Sequence, residues 1–488
     1  MNYKMMGRLN SFILIINAVF MLPALLISLF CKEDRAVLAF GITIGAMLAF
    51  AGILALLSKG AKKDFFAREG IVCVGTCWII MSLFSALPFV ISGAIPNYID
   101  ALFETVSGFS TTGASILLNI EILPKGILYW RSFTHWIGGM GVLVFLLAIV
   151  PVGGKSEGFT MHLLRAESPG PDVGKLVPKM KTTAAVLYFC YIVLSVACLL
   201  FLLADKEMPV FDAFCITFGT AGTGGFGVRN DSIAGYSHYA QWVITVFMLL
   251  FGINFSCYYL VLMKKLRSVF KDEELRLYLG IVATSVIIIV INLMTSPSFS
   301  GMPLSDAIRE AAFHVSSIVT TTGYSISDYN LWPAMSKTVI VILMCIGASA
   351  GSTGGGFKCA RVLLLFKSMR RNLSQILRPQ KVKVIRVNGK VVAEKLLSNT
   401  ASYLFIYVFI VIMCTLLISV DGFSLETNIT AVLSCFNNIG PGLDAVGPVS
   451  NFASYSYFSK IILTVAMLAG RLEIFPIILL LKREAWKR

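Results

Sequence analysis

Charge is scarce in this chain. Only 14% of its 488 residues are Asp, Glu, Lys or Arg, against roughly a quarter in soluble domains. That shortage excludes a soluble enzyme of several domains, because such a fold could not hide the 57% of residues that are hydrophobic. A disordered chain is excluded too, since disorder needs low hydrophobicity and many charges. Histidine is rarer still, with four scattered residues, and no CxxC pair occurs among the 11 cysteines. Most cysteines sit singly in apolar runs, and the closest pair, Cys73 and Cys77, lies one helical turn apart. They read as free buried thiols, neither a disulfide framework nor a metal site. Acidic residues number 26 against 41 basic ones, a net charge of +15. The basic excess collects in loops between apolar runs, which points to the inner face of a membrane and not to nucleic acid.

What the chain has in quantity is long apolar sequence, with a mean hydropathy of +0.81. Runs near 10–31, 36–58, 70–95, 127–151, 183–204, 239–263, 277–296, 336–364, 399–420 and 456–482 each approach or exceed the ~20 residues a helix needs to cross a bilayer. The fold class is therefore an all-α polytopic membrane protein. The first run lacks a small-residue cleavage site and reads as a retained helix. Basic clusters lie at Lys59, Lys62, Lys63 and Arg68, and again at Lys264, Lys265, Arg267, Lys271 and Arg276. Others lie across 367–395 and at Lys482, Arg483, Lys487 and Arg488. With ten alternating spans, all four fall on one side, which makes that side cytoplasmic and puts both termini inside. Within 380–392, valines alternate with basic residues around Asn388 and Gly389. That pattern predicts a β-hairpin, either a connector or a docking surface for a cytoplasmic partner.

Four outer connections share a pattern. Each holds an acidic residue or Asn (Asp100, Asp212, Glu310, Asn428), about ten residues of helix, and then a Thr/Gly or Asn/Gly run. The runs are Thr111, Thr112 and Gly113; Thr223, Gly224 and Gly225; Thr321, Thr322 and Gly323; and Asn438, Ile439 and Gly440. The acidic residue or Asn is expected to cap the helix and complement its dipole. The last glycines recur at intervals of 112, 98 and 117 residues, with two spans in each interval. This divides the chain into a leading hairpin, 1–66, and four pore repeats, 67–180, 181–275, 276–398 and 399–488, around a central pore. Non-helical backbone is tolerated at membrane depth only where protein buries it or where it lines a watery cavity. A ring of such loops can replace a cation's hydration shell with backbone carbonyls, glycine permitting the required φ and threonine adding a hydroxyl.

Two phosphate-loop look-alikes fail on context. The stretch from Gly222 to Gly227 fits GxGxxG, yet no helix pattern starts there and it is one of the four repeats. The run Gly347–Lys358 ends with Phe357 between glycine and Lys358, and no Ser or Thr comes after it. It reads instead as a helix broken at mid-membrane. With its glycines and small residues, the loop is expected to have little packing to hold it. Arg471 falls halfway along the last span with Glu473 two residues on, either a functional charge or part of an ion pair. Arg131, His135 and His314 are expected to support helix packing.

The four Gly loops resemble those of the Trk/Ktr/HKT potassium transporter superfamily. Trp136–Gly141, Gly252–Phe255, Gly351–Lys358 and Gly470–Phe475 add to the match, and the two leading helices resemble the TrkH branch. The resemblance implies K+ as the transported ion and the twelve residues of the four runs as its filter. It implies a gate at Gly347, Gly351, Gly354, Gly355, Gly356 and Lys358, with Arg471 facing the same axis. A homodimer in the bacterial inner membrane and a cytoplasmic TrkA/RCK-type nucleotide-binding regulatory subunit are also implied. Few ionisable residues line the loops, which favours a channel-like mechanism. Symport of potassium with protons or sodium stays open, and a membrane enzyme would need clustered His, Asp or Cys at depth.

Overall fold

The computed structural model describes residues 1–61, 67–141, 180–299, 301–380 and 383–486. Two apolar helices, Tyr3–Phe30 and Asp34–Leu57, open the chain and pack along each other. Their buried face joins a core with residues of the first and last thirds of the chain. A second core unites residues between Cys257 and Leu443, and a third those between Cys190 and Tyr324.

After the leading hairpin one pattern recurs four times. Its first member is a helix long and apolar enough to cross a membrane: Arg68–Ile91, Met180–Leu203, Glu273–Thr295 and Glu394–Ile418. Its second is a short helix: Tyr98–Phe109, Val210–Gly222, Leu304–Val319 and Leu425–Asn437. At 12 to 16 residues, these reach ~18–24 Å and fall short of the ~30 Å hydrocarbon core. The glycine loop comes next, and then a helix that stops partway.

That last member is where the structure differs from the sequence expectation. The sequence predicts one break, at Gly347–Lys358, and it is there, between Ala334–Ile346 and Cys359–Leu377. Two other repeats break as well. His238–Phe251 and Phe255–Leu262 meet at 89°. Tyr457–Arg471 gives way to Phe475–Leu481 through Glu473 and Ile474, both at positive φ. In the first repeat Lys125–Met140 ends at Gly141 (φ 78°), and the rest of the expected span 127–151 lies outside the described residues. Apolar length hid these breaks, because the turns Gly252–Asn254 and Leu472–Ile474 are only three residues each and a window of about 20 residues averages over them. Glycines near the ends of these helices allow a close approach: a Cβ on Gly138 would come within 1.9 Å of the Phe109 carbonyl oxygen, and one on Gly470 within 1.9 Å of that of Phe436. The broken helices thus press against the ends of the short ones.

The expected hairpin is present, with Arg386 opposite Val391 and Val387 opposite Lys390. Asn388 and Gly389 both take positive φ, as its two-residue turn requires. It is tied to its own chain. The Asn388 side chain accepts from the Glu273 amide (2.9 Å) and donates to Asp272 (2.7 Å), while Lys367 donates to the Arg386 carbonyl (2.6 Å). All eleven cysteines are free and eight are buried; Cys31, at a helix end, is exposed.

Candidate functional site: a closed ring of four glycine loops

Each short helix ends in the same way. Thr111, Thr223, Thr321 and Asn438 are left-handed, with φ of 53–59°. The amide of the next residue reaches back five positions: Thr112 to Ser107 (2.8 Å), Gly224 to Gly219 (2.8 Å), Thr322 to Ser317 (2.8 Å) and Ile439 to Ser434 (2.9 Å). This is the six-to-one hydrogen bond of a Schellman cap, a position where glycine is usual. Threonine there is strained, because its branched Cβ crowds the backbone. Strain of this kind persists only where the surroundings over-determine it, and it gathers at functional sites. Sequence spacing identified these residues but missed their backbone state.

Two residues on stand Gly113, Gly225, Gly323 and Gly440, with φ of 79°, 80°, 83° and 103°. Their neighbours close a cycle. A Cβ on Gly113 would lie 2.0 Å from the Gly224 carbonyl oxygen, one on Gly225 2.0 Å from that of Thr322, and one on Gly323 1.9 Å from that of Ile439. One on Gly440 would lie 2.8 Å from the carbonyl oxygen of Thr112. Every glycine therefore backs onto the carbonyl just before the next repeat's glycine, and the fourth returns to the first. A single chain closes the ring. All four glycines also line an open cavity of about 200 Å³ on one side of it.

On the other side the broken helices meet. The loop Gly347–Lys358, expected to be loosely held, is mostly buried and well bonded, because its backbone replaces the packing its small side chains cannot supply. The Gly355 amide donates to the Thr321 hydroxyl (2.6 Å) and the Phe255 amide to the Gly351 carbonyl (3.0 Å). Glu274 accepts from the Ala350 amide (2.6 Å), and buried Lys358 donates to the Gly354 carbonyl. Gly347 and Gly356, both at positive φ, lie against each other. Arg471 donates to the carbonyls of Thr353 (2.8 Å), Gly138 (2.5 Å) and Gly139 (2.7 Å). It therefore joins the breaks of the third and fourth repeats to the end of the first repeat's helix Lys125–Met140. Glu473 pairs instead with Arg361, a buried pair whose guanidinium lies 3.9 Å over the Tyr403 ring. Nothing in the local sequence ties Arg361 to Glu473, more than a hundred residues away.

The acidic residues ahead of the loops are not caps, since each helix starts two to six residues earlier, although Asp100 and Asp212 stand in the first turn, where they complement the helix dipole as expected. Asn97 and Ser424 cap the first and fourth helices, and Pro209 and Pro303 precede the others. Asp100 binds Lys460 (2.7 Å), Asp212 accepts from Tyr236 (2.8 Å), and Glu310 accepts from Ser327 (3.0 Å). Asn428 accepts from Tyr455 (3.0 Å). Asp212, Glu310 and Asn428 brace their short helices against the chain on the far side of their own glycine loops, whereas Asp100 ties the first short helix to Tyr457–Arg471 of the last repeat. His135, expected in a packing role, holds two repeats together: Nδ1 donates to the Gly108 carbonyl (2.7 Å) and Nε2 accepts from the Phe226 amide (3.2 Å), so the ring is neutral. His314 bonds the Glu310 carbonyl of its own helix (2.9 Å).

Leading hairpin, four repeats and a ring of loops define an all-α polytopic membrane protein of the pore-loop transporter class. The chain belongs to the TrkH family of cation transport proteins, which it matches over residues 38–486. It is a transport protein, not an enzyme. It is 34% identical to the Trk system potassium uptake protein TrkH of Salmonella typhimurium, with all of both chains covered. Identity to the Trk system potassium uptake protein TrkG of Escherichia coli is 32%, with 99% of each covered. The crystal structure of the potassium transporter TrkH from Vibrio parahaemolyticus matches with a TM-score of 0.88 at 29% identity, covering all of both chains.

Proposed function

We propose that this chain is the membrane subunit of a potassium-uptake system and passes K+ through a channel-like pore. Its filter is formed by Thr111, Thr112, Gly113, Thr223, Gly224, Gly225, Thr321, Thr322, Gly323, Asn438, Ile439 and Gly440. One observation carries the reading: four glycines touch four equivalent carbonyls in a closed cycle. Such a ring, with the carbonyl ends of four helices beside it, suits a partly dehydrated monovalent cation. The leading hairpin and four units bounded at 66, 180, 275 and 398 are the functional modules.

Gly347–Lys358 is the gate, and Arg471 is its latch. Charge-assisted hydrogen bonds contribute about 1.5–3 kcal/mol each, so three of them can hold a closed state that a partner's binding offsets. The Trk-system names of the relatives support a multi-component assembly, here a homodimer with a TrkA-type regulatory subunit on the cytoplasmic face. Lys383 and Arg386 line a cavity of about 720 Å³ with Lys367, Arg370 and Arg371, a basic surface for that subunit. Lys381, expected to contribute, lies outside the described residues. Basic loops facing the cytoplasm and both termini inside fit insertion in a bacterial inner membrane.

Purified protein in liposomes tests the proposal. Potassium flux should follow the electrochemical gradient and persist when proton and sodium gradients are collapsed. Flux that stops with either gradient would replace the channel by a symporter, and absence of any cation flux would remove the transport reading.

A further inference from the structure

We propose that a girdle of side chains just outside the ring, centred on Tyr324, Tyr329 and Arg131, sets the ring's diameter and so its ion preference. The inference rests on the filter reading above and deepens it. Each boundary between neighbouring loops carries a bridge made by buried side chains, and at three of the four the bridging side chain comes from outside the four runs. Between the first and second, Arg131 Nη1 donates to the Gly227 carbonyl (3.0 Å) and its Nε to Glu104 (2.6 Å), which accepts in turn from the Ile116 amide (3.0 Å). Between second and third, the Tyr324 hydroxyl reaches the Phe226 carbonyl (3.2 Å) and that of Ile216 (3.3 Å). Between third and fourth, the Tyr329 hydroxyl donates to the Gly442 carbonyl (3.0 Å). Between fourth and first, the Asn438 amide donates to the Thr112 hydroxyl (3.0 Å) and the Phe452 amide to the Ser115 carbonyl (2.9 Å).

The placement is the argument. Gly227 and Gly442 each lie two residues past their repeat's last glycine, and Phe226 one past. A bond at those carbonyls fixes the next peptide inward, where the glycine leaves the backbone free to move. Tyr324, Tyr329, Arg131 and Glu104 are each no more than 2% exposed, and an unmatched buried carbonyl is costly. Carbonyl number and flexibility govern cation selectivity. Rigid tethers on adjacent boundaries restrict that flexibility without touching the ion.

Tyr324→Phe and Tyr329→Phe remove one hydroxyl each and keep the ring packing. Both variants, reconstituted in liposomes, should lower the potassium-to-sodium permeability ratio by about three- to tenfold, from one lost hydrogen bond, while total monovalent flux is kept. Tyr258→Phe is the control, since its hydroxyl donates to the Leu250 carbonyl (2.6 Å) away from the ring; its ratio should stay at the wild-type value. Arg131→Lys keeps the charge, shortens the fork, and should act as the tyrosine variants do. Unchanged ratios in both tyrosine variants, or an equal fall in the control, overturn the girdle. If Gly323→Ser leaves the ratio unchanged as well, the filter reading fails with it; if Gly323→Ser alone lowers the ratio, only the girdle fails. A variant that does not elute as folded protein is judged by its partner substitution at the neighbouring boundary.

Discussion

Adding one side-chain atom to the ring should damage its discrimination, and the structure sets how much. At Gly323 the φ of +83° costs an L-residue about 1–2 kcal/mol. Its Cβ would lie 1.9 Å from the Ile439 carbonyl oxygen and 2.9 Å from Pro441 Cδ. That oxygen must retreat by more than about 1 Å, and overpacking of this kind costs about 1–3 kcal/mol. Together these give roughly 2–5 kcal/mol, borne where the ion is proposed to sit. If only ~1.4 kcal/mol of it separates the two ions, the potassium-to-sodium ratio of Gly323→Ala falls about tenfold. Gly113→Ala and Gly225→Ala face contacts of 2.0 Å and should behave alike, whereas Gly440→Ala meets its nearest atom only at 2.8 Å and should be the mildest sterically. The assay is the reversal potential in liposomes under a potassium–sodium gradient, with growth rescue of a potassium-uptake-deficient host beside it. Full rescue and an unchanged ratio in all four variants would refute the assignment.

Arg471→Ala removes three hydrogen bonds from the carbonyls of Thr353, Gly138 and Gly139; basal flux should rise and response to the regulatory subunit should weaken, with the ion ratio unchanged in the same liposome assay. Glu473→Gln leaves Arg361 buried beside a neutral partner, and breaking a buried pair costs about 3–5 kcal/mol, which a lowered melting temperature of the purified protein would register. Lys383→Glu with Arg386→Glu should reduce co-purification of the regulatory subunit, increasingly as salt is raised; normal recovery at every salt concentration would place docking elsewhere. Hydrogen bonds from Ser424 (2.6 Å) and Thr427 (2.6 Å) hold the Asp444 carboxyl below its usual range. The stability this anion adds is present above its unfolded value of about 3.9 and is lost as pH falls through the lower folded one. Asp444→Asn should therefore remove part of the acid limb of a melting-temperature profile and leave its neutral plateau nearly flat.

Much of this architecture is legible in the sequence because it is written locally. Apolar runs declare themselves by length, the basic loops by composition, and the four Thr/Gly and Asn/Gly runs by their recurrence between pairs of spans. Glycine at 113, 225, 323 and 440 marks backbone that needs positive φ whatever surrounds it, and Asn388 with Gly389 announces its turn for the same reason. Partners are another matter. That Gly323 backs onto Ile439, that Arg471 spans three repeats, and that Glu473 chooses Arg361 over its near neighbour are contacts between residues from different repeats. Chain spacing carries no signal for such pairs, which are decided by which helix ends arrive together when the repeats pack. The same holds for the extra breaks at Gly252–Asn254 and Leu472–Ile474, each only three residues inside an apolar run. Sequence alone thus determined the units, their number and their glycines. Tertiary packing decided the order in which the ring closes and the bonds that hold it, because a cycle of contacts exists only once all four repeats are in place.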